Sequence, residues 1–187
     1  MHRRPLLDLL NRHPTVDAQE EQSLRQIEAF VREHADCFSR SLVAGHITGS
    51  AWLLDEYGDR VLLTHHRKLG LWLQLGGHAD GNPDVLDVAL REAREESGLQ
   101  NVVPLLNDIF DVDVHAIPAR ENEPAHFHYD IRFLLRAVGS DAFRVSDESH
   151  ALRWCTKDEV PRLSVDASVL RMHRKWLALW PTARASY

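Results

Sequence analysis

Three carboxylates that could hold a metal ion stand within five residues of one another: Glu92, Glu95 and Glu96. Residues at i, i+3 and i+4 share one face of a helix, so these acids would repel one another unless cations lie among them. Carboxylate oxygens suit hard divalent ions such as Mg²⁺ or Mn²⁺, which also bind substrate phosphates. The alternative explanation of an acidic run is a solvated, charged helix face.

The residues around the three acids predict the helix that would carry them. Asn82 and Pro83 indicate its start, with Asn82 as the cap and Pro83 in the first turn, and Gly98 marks its end. The apolar and small residues of the same helix lie about 120° from the acids. They are Leu86, Ala89, Leu90, Ala93 and Ser97. The sequence therefore predicts a helix of about four turns that buries one side and presents the acids on another.

The stretch from Gly77 to Leu99 resembles the Nudix box, Gly-x5-Glu-x7-Arg-Glu-U-x-Glu-Glu-x-Gly-U, in which U is usually aliphatic. The matching residues are Gly77, Arg91, Glu92, Ala93, Glu95, Glu96, Gly98 and Leu99. Pro83 is the one departure, because it stands where the family has its first Glu. The resemblance implies that this Glu supports the helix start. Asp84 can supply part of its charge, since an acid is favourable near a helix N-terminus.

The resemblance also implies a fold and a division of the chain. The fold is of the α+β class, a Nudix-like α/β/α sandwich around a mixed β-sheet, with an N-terminal helical extension. We expect the extension to span residues 1–41 and the Nudix domain to span residues 42–187. The order of the predicted elements agrees, because strands precede the acidic helix, strands follow it, and a helix closes the chain.

A metal-dependent hydrolase is the function that the resemblance implies. Mg²⁺, or Mn²⁺ in its place, would be held against a diphosphate by Glu92, Glu95, Glu96 and the backbone carbonyl of Gly77. Arg91 would brace the glutamates through an ion pair. The expected reaction is hydrolysis of the diphosphate linkage in a small-molecule nucleoside diphosphate derivative: a nucleotide sugar, a dinucleotide or a nucleoside triphosphate.

Two other functions are compatible with a Nudix-like sequence. A regulatory module that binds a nucleotide or metabolite, with weak or no catalysis, is favoured by Pro83. The intact pairs Arg91–Glu92 and Glu95–Glu96 argue against it, because a binding module has no need for mutually repelling carboxylates. Isomerisation of a prenyl diphosphate would need a well-placed cysteine, and neither Cys37 nor Cys155 lies in a matching motif.

Charged residues outside the box supply candidates for a general base and for phosphate contacts. The base that hydrolysis needs would be Glu95 or Glu148, an acid late in the chain whose alternative role is an ordinary loop acid. Arg67 and Lys68 form a basic turn before the box, where they would contact substrate phosphates. A solvated hairpin turn is the alternative reading of these two residues.

The segment over residues 125–135 alternates between apolar and polar side chains, which predicts a strand with one face on the core and one lining a cleft. We expect His126, His128 and Arg132 on the polar face to contact the substrate. His126 and His128, with His115 in the preceding strand, also permit a zinc site. We favour substrate contacts, because the carboxylates already account for a metal and strand histidines more often hydrogen-bond to substrate or water.

Two helices are predicted before the domain. The first is short and amphipathic and ends before Pro14, and the second covers residues 17–38, with Asp17 and Glu20 as a capping box. Packing against the domain is the role we favour for the second helix. A homodimer contact and a lid over the active site are the two alternatives.

The remaining predicted elements follow from local patterns of apolar residues. The strands are His46–Asp55 and Arg60–His65 as a hairpin, then Leu71–Leu75, Val102–Leu106 and Ile109–Ile117. A final helix runs from Asp166 to Trp180 and directs Val169, Met172, Trp176 and Leu179 to the core.

Composition excludes several classes of protein. A length of 187 residues fits one domain, and a formal charge of -6 argues against coating a nucleic-acid duplex, which needs a broad basic surface. No run approaches the roughly 20 apolar residues of a membrane span. Asp8 and Asn11 interrupt the N-terminal leucines before they could form a signal core, so we expect a cytoplasmic protein. Cys37 and Cys155 are far apart and predict reduced thiols.

Overall fold

The computed structural model describes residues 2–67, 69–119, 124–146 and 149–179. These residues form five helices and one mixed sheet of eight strands. The helices are α1 (Arg4–Arg12), α2 (Ala18–Glu33), α3 (Val85–Ser97), α4 (Val160–Leu163) and α5 (Ala167–Leu179). The strands are β1 (Gly45–Leu54), β2 (Arg60–His66), β3 (Trp72–Leu73), β4 (Leu75–His78), β5 (Val102–Pro104), β6 (Asp111–Ile117), β7 (His126–Ala137) and β8 (Ser149–Thr156). The predicted α+β fold with a mixed sheet and N-terminal helices is confirmed.

Strand β1 lies at the centre of the sheet and is buried along its whole length. It pairs in parallel with β7 over ten residues, from Gly45 opposite Phe127 to Leu54 opposite Arg136. On its other side it is antiparallel to β4 and, at its end, to β2. Strand β6 pairs with β7, and β8 pairs with β2. Strand β1, which precedes the box, and strand β7, which follows it, therefore lie side by side.

Helix α3 carries the box acids and packs against the sheet through its apolar side. Val85, Val88, Ala89 and Ala93 are buried. The predicted helix is confirmed, but its start is two residues later than expected. Asp84 is the N-cap, and its carboxylate accepts a hydrogen bond from the Asp87 amide at 3.1 Å. The Asn82 side chain instead accepts from the Asp84 amide at 3.0 Å, so Asn82 shapes the preceding turn.

The two N-terminal helices share the core of the sheet. Leu6 and Leu10 of α1 and Ile27 of α2 are buried in the same apolar cluster as the inner strands. The ring of Phe30 on α2 stacks on Tyr129 of β7, with ring centroids 3.8 Å apart. Helix α2 ends at Glu33, which makes it shorter than the predicted 17–38. Packing against the domain, the favoured expectation for α2, is what these contacts show.

A buried ionic network joins the N-terminal helices to the last helix. Glu20 of α2 forms an ion pair with Lys175 of α5, and Lys175 lies 2.8 Å from Asp111 of β6. Asp111 also binds the guanidinium groups of Arg132 and Arg171, at 3.2 and 2.8 Å. These groups are almost fully buried, so each charge depends on its partners. The network fixes β6 and β7 relative to α5.

Helix α5 packs on the opposite side of the sheet from α3. Val169, Met172 and Trp176 are buried there, as predicted. Leu179 is 52% exposed, so its predicted place in the core is wrong: it lies at the end of the helix, beyond the sheet. Both cysteines are free and buried. Within the described residues, no helix is both long and apolar enough to cross a membrane.

Candidate active site

The three box acids occupy different environments near the C-terminal end of α3. Glu96 is buried, and its carboxylate accepts a hydrogen bond from the Gly76 amide at 2.8 Å. The Glu92 side chain is 13% exposed, whereas that of Glu95 is 63% exposed. The helix ends directly afterwards at Gly98, whose φ of 72° is the left-handed conformation that glycine adopts without strain. The acids therefore share one helix face but differ in their freedom to move.

Gly77 of β4 lies against the carboxylate of Glu92. A Cβ atom at Gly77 would come within 2.5 Å of Glu92 Oε2, which is closer than real Cβ contacts. Only glycine lets the backbone at this position approach the carboxylate so closely. The structure thus brings together the backbone of Gly77 and the acids of α3, which the sequence separates by fifteen residues or more.

Arg91 links the acids to the loop before α3. Its guanidinium lies 3.0 Å from a Glu92 carboxylate oxygen and 3.9 Å from one of Glu95. It also donates a hydrogen bond to the backbone carbonyl of His78 at 2.8 Å. Arg91 can therefore hold both the helix face and β4 in register.

Glu92 and Glu95 line a cavity of about 470 Å³ whose other walls come from the polar face of the sheet. Its lining includes Gly77, Arg91, Glu92 and Glu95 from the box, and from the sheet and its connections Thr48, Ser50, Gln74, Gly76, His78, His115, His126, His128 and Asp130. This volume is typical of a small-molecule site. Its lining is rich in hydrogen-bonding and charged groups, as a polar ligand would require.

Asp130 of β7 is the most tightly held acid of the cavity wall. Its carboxylate accepts hydrogen bonds from the hydroxyls of Thr48 and Ser50, at 2.8 and 2.7 Å, and from Arg132 at 2.7 Å. Burial opposes ionisation of Asp130, but the charges of Arg132 and His115 and these hydrogen bonds outweigh it, so its pKa is lowered. Asp130 is therefore a fixed negative charge.

Histidines crowd the same wall of the cavity. His128 Nε2 lies 3.3 Å from His78 Nε2 and 3.3 Å from His126 Nε2. The ring of His46 is within 5.0 Å, centroid to centroid, of all three of these rings. Burial lowers the pKa of His128 to about 2, helped by the neighbouring imidazoles of His115, His78 and His46. His128 is therefore neutral at physiological pH.

Comparison with protein-family models gives a match to the NUDIX domain over residues 46–177. This match covers most of the chain. The chain belongs to the Nudix family. The region it covers begins at β1 and ends in α5, so the N-terminal helices α1 and α2 precede it. No curated protein sequence matches the chain.

Three solved structures with the same fold match this chain over nearly the whole of their own length. C. elegans Ap4A hydrolase in a binary complex matches with a TM-score of 0.58 and 18% identity, over 71% of this chain and 96% of that one. A NUDIX hydrolase from Clostridium perfringens matches with a TM-score of 0.57 and 24% identity, over 72% and 97%. The MutT protein from Methanosarcina mazei Go1 matches with a TM-score of 0.51 and 17% identity, over 74% and 96%. These likenesses establish the Nudix fold.

Two of the predicted substrate contacts line the cavity and one does not. His126 and His128 face it, as the strand alternation indicated. Arg132 is only 2% exposed and is held by Asp111 and Asp130, so the predicted substrate contact is wrong for this residue. Its guanidinium neutralises buried carboxylates and does not line the cavity.

Of the predicted basic turn before the box, the structure describes Arg67. Arg67 is exposed, directs its guanidinium to the Ser149 carbonyl at 3.5 Å, and is not part of the cavity lining. Lys68 and Glu148 lie outside the described residues. The cation that sequence reasoning missed is Arg40, which lines the cavity from the segment after α2. Nothing in its local sequence marks it, because the contact depends on how that segment packs.

Arg40 is bound to the box loop by a two-point ion pair. Its Nε and one terminal nitrogen each lie 2.6 Å from a carboxylate oxygen of Asp80. The hydrogen bonds from Arg40 lower the pKa of Asp80, against the opposing effect of burial. The N-terminal extension predicted over residues 1–41 therefore supplies a residue to the wall of the Nudix cavity.

Proposed function

We propose that this Nudix chain is a Mg²⁺-dependent hydrolase of the diphosphate linkage in nucleoside diphosphate derivatives. The observation that carries the proposal is the convergence of Glu92, Glu95 and the Gly77 backbone on one nucleotide-sized cavity. A hydrolase of this class needs a divalent ion at the phosphates and room for the group beyond them. The cavity supports the proposal because it combines acidic side chains that could hold such an ion with space for the rest of the substrate.

The residues present fit such an ion. The donors are carboxylate oxygens and a backbone carbonyl, the set that Mg²⁺ and Mn²⁺ prefer. A Cβ at Gly77 would collide with the Glu92 carboxylate, so the glycine lets this acid lie directly against the backbone of β4. When bound, Mg²⁺ neutralises phosphate charge and makes phosphorus easier to attack. Glu92, Glu95, Glu96 and Gly77 are the residues that we propose to hold it.

The surroundings of the three acids suggest a different role for each of them in metal binding or catalysis. Glu96 is oriented by the Gly76 amide, which suits a fixed ligand. Arg91 holds Glu92 beside the loop and is a positioning residue. Glu95 is the most exposed of the three and is free to approach an attacking water, so we propose it as the general base. Glu148 is retained as the alternative base.

Polar groups on the opposite wall would bind the remainder of the substrate. His126, His128 and Gln74 line this wall, beside the fixed charge of Asp130. Together they provide donors and acceptors for sugar hydroxyls or base edges, at a distance from the phosphate end. Substrate selectivity is therefore proposed to reside in Gln74 and in β7, outside the residues that define the box.

A panel of substrates tests the proposal. The products are separated and identified by chromatography, with and without Mg²⁺, for nucleotide sugars, dinucleoside polyphosphates such as Ap4A, nucleoside triphosphates and coenzyme A, because this cleavage leaves the phosphate groups on its two products and releases no inorganic phosphate. We expect Mg²⁺-dependent turnover on one class, and a drop of at least about 100-fold in Glu95→Gln and Glu96→Gln. Glu56→Gln, an exposed acid in the β1–β2 turn, is the matched control. Near-normal turnover in both box variants would refute the mechanism.

A binding module is the second candidate, and Pro83 is the observation that favours it. The same panel separates the two functions. Tight nucleotide binding by calorimetry without turnover on any compound would identify a binder. Turnover in the presence of Mg²⁺ would identify the hydrolase.

A further inference from the structure

We propose that His46, His78 and His128 form a second metal site, for Zn²⁺, on the wall of the Nudix cavity. The site is distinct from the box carboxylates, because its three donors are imidazole nitrogens from the sheet. Imidazole suits zinc and its neighbours in the first transition row, whereas Mg²⁺ prefers oxygen. Two ions of different chemistry would then share one cavity.

The nitrogen atoms of the three histidines lie close together, and one pair has the spacing of ligands on a tetrahedral ion. One ring nitrogen of each of the three histidines lies within 4.8 Å of those of the other two. His78 Nε2 and His128 Nε2 are 3.3 Å apart. Two nitrogens bound to Zn²⁺ at about 2.0–2.1 Å with a tetrahedral angle are separated by about 3.3–3.4 Å. His78 and His128 therefore already have the separation that the ion requires, and His46 supplies a third nitrogen close to both.

The backbone holds the three histidines on neighbouring strands. His46 of β1 stands opposite His128 of β7 in the parallel pair. His78 of β4 stands opposite Thr48, two residues along β1 from His46 and therefore on the same face of the sheet. Donors on paired strands are more rigidly placed than donors on loops. The cluster is thus built into the centre of the sheet.

His126 lies at the edge of this cluster, and its ring is held by a hydrogen bond to the backbone. Its Nδ1 lies 2.9 Å from the Pro124 carbonyl, which can only accept, so Nδ1 carries the proton. Its Nε2 lies 3.3 Å from Nε2 of His128, one of the proposed ligands, so His126 borders the proposed site without belonging to it.

The position of the site suggests what the ion would do. His78 and His128 line the cavity together with Glu92 and Glu95, while His46 lies behind them. Three protein ligands leave one position of a tetrahedral ion open, which is the arrangement of zinc sites that bind a ligand. An anionic or hydroxyl oxygen of the substrate would occupy it. The contact proposed above for His128 would then run through the ion.

Metal binding tests the proposal without any assay of turnover. Tag-free protein is stripped with a chelator, dialysed, and titrated with Zn²⁺ in excess Mg²⁺, which occupies the box carboxylates. We expect one tightly bound Zn²⁺ per chain, and Co²⁺ in its place should give the strong visible absorption of a four-coordinate, nitrogen-bound ion. No bound Zn²⁺, or only the weak absorption of octahedral Co²⁺, would overturn the proposal.

Variants identify the ligands. His78→Asn and His128→Asn should each weaken Zn²⁺ binding by at least about 100-fold. Glu95→Gln should leave Zn²⁺ affinity unchanged, as should His150→Asn, an exposed histidine away from the cavity. Unchanged affinity in both cluster variants would overturn the assignment. Circular dichroism verifies folding, and the Co²⁺ spectrum of the unaltered chain decides the matter if a variant does not fold. A chain that binds zinc but hydrolyses nothing would contradict only the proposed hydrolase.

Discussion

Gly77→Ala adds a single carbon atom where the cavity has no room for one. Its Cβ would lie 2.5 Å from Glu92 Oε2, and ordinary contacts begin at 3.4 Å. Glu92 must therefore retreat by about 1 Å, and a displacement of that size in a reacting group can lower the rate about 100-fold. We expect kcat/KM to fall by about that factor, which corresponds to about 2.7 kcal/mol of transition-state stabilisation.

Two measurements separate this effect from a general loss of structure. Mn²⁺ affinity, followed by electron paramagnetic resonance, reports on the carboxylates without a substrate and should fall with kcat/KM. Gly81→Ala is the matched control, because its Cβ would meet nothing within 4 Å. Its φ of 86° makes that substitution strained, so it tests backbone strain in the same loop. Equal losses in the two variants would refute the argument from Glu92.

Further predictions concern the helix cap, the buried network and pH. Asp84→Ala should lower the free energy of unfolding by about 1 kcal/mol in urea denaturation, because it removes the cap of α3. Pro83→Glu should leave kcat/KM within about twofold, since Asp84 already starts the helix; a large gain would contradict this. Asp111→Asn should cost about 3–5 kcal/mol of stability in the same denaturation experiment, since it leaves buried guanidinium groups uncompensated. The lowered pKa of His128 means that the unfolded chain takes up its proton first, so metal-free protein should lose stability as pH falls below about 6.5. His128→Gln should flatten that loss between about pH 6.5 and 5, where carboxylates are still ionised.

Local sequence patterns were sufficient for the elements that depend on their own residues. The acidic helix was predicted because its apolar period and the Gly98 terminator lie within one short stretch. Its first residue was misplaced because Asn82 and Asp84 are both good caps, and only the fold shows which one faces the helix. The alternation of β7 was also local, and it correctly placed His126 and His128 on the cavity side.

What the sequence could not reveal depends on pairing between distant segments. The alternation of β7 places Arg132 on the same face as the cavity residues. Its guanidinium, however, forms an ion pair with Asp111, which stands opposite it on the neighbouring strand β6. His46 and His78 join His128 only because β1 lies between β4 and β7. Each of these two histidines is unremarkable in its own segment. Local sequence patterns therefore could not predict the parallel pairing of β1 with β7, on which this cluster depends.

The parallel pairing of β1 with β7 determines when the cavity forms during folding. Every pair between β1 and β7 joins residues 82 positions apart, as Gly45 with Phe127 shows. Closing so long a loop is slow relative to forming α3. On the ribosome, the box helix can form while the chain is still growing, but the cavity waits until β7 has emerged. Folding of this chain is thus expected to be limited by the joining of its two halves at the central strand, and the cavity is assembled at that step.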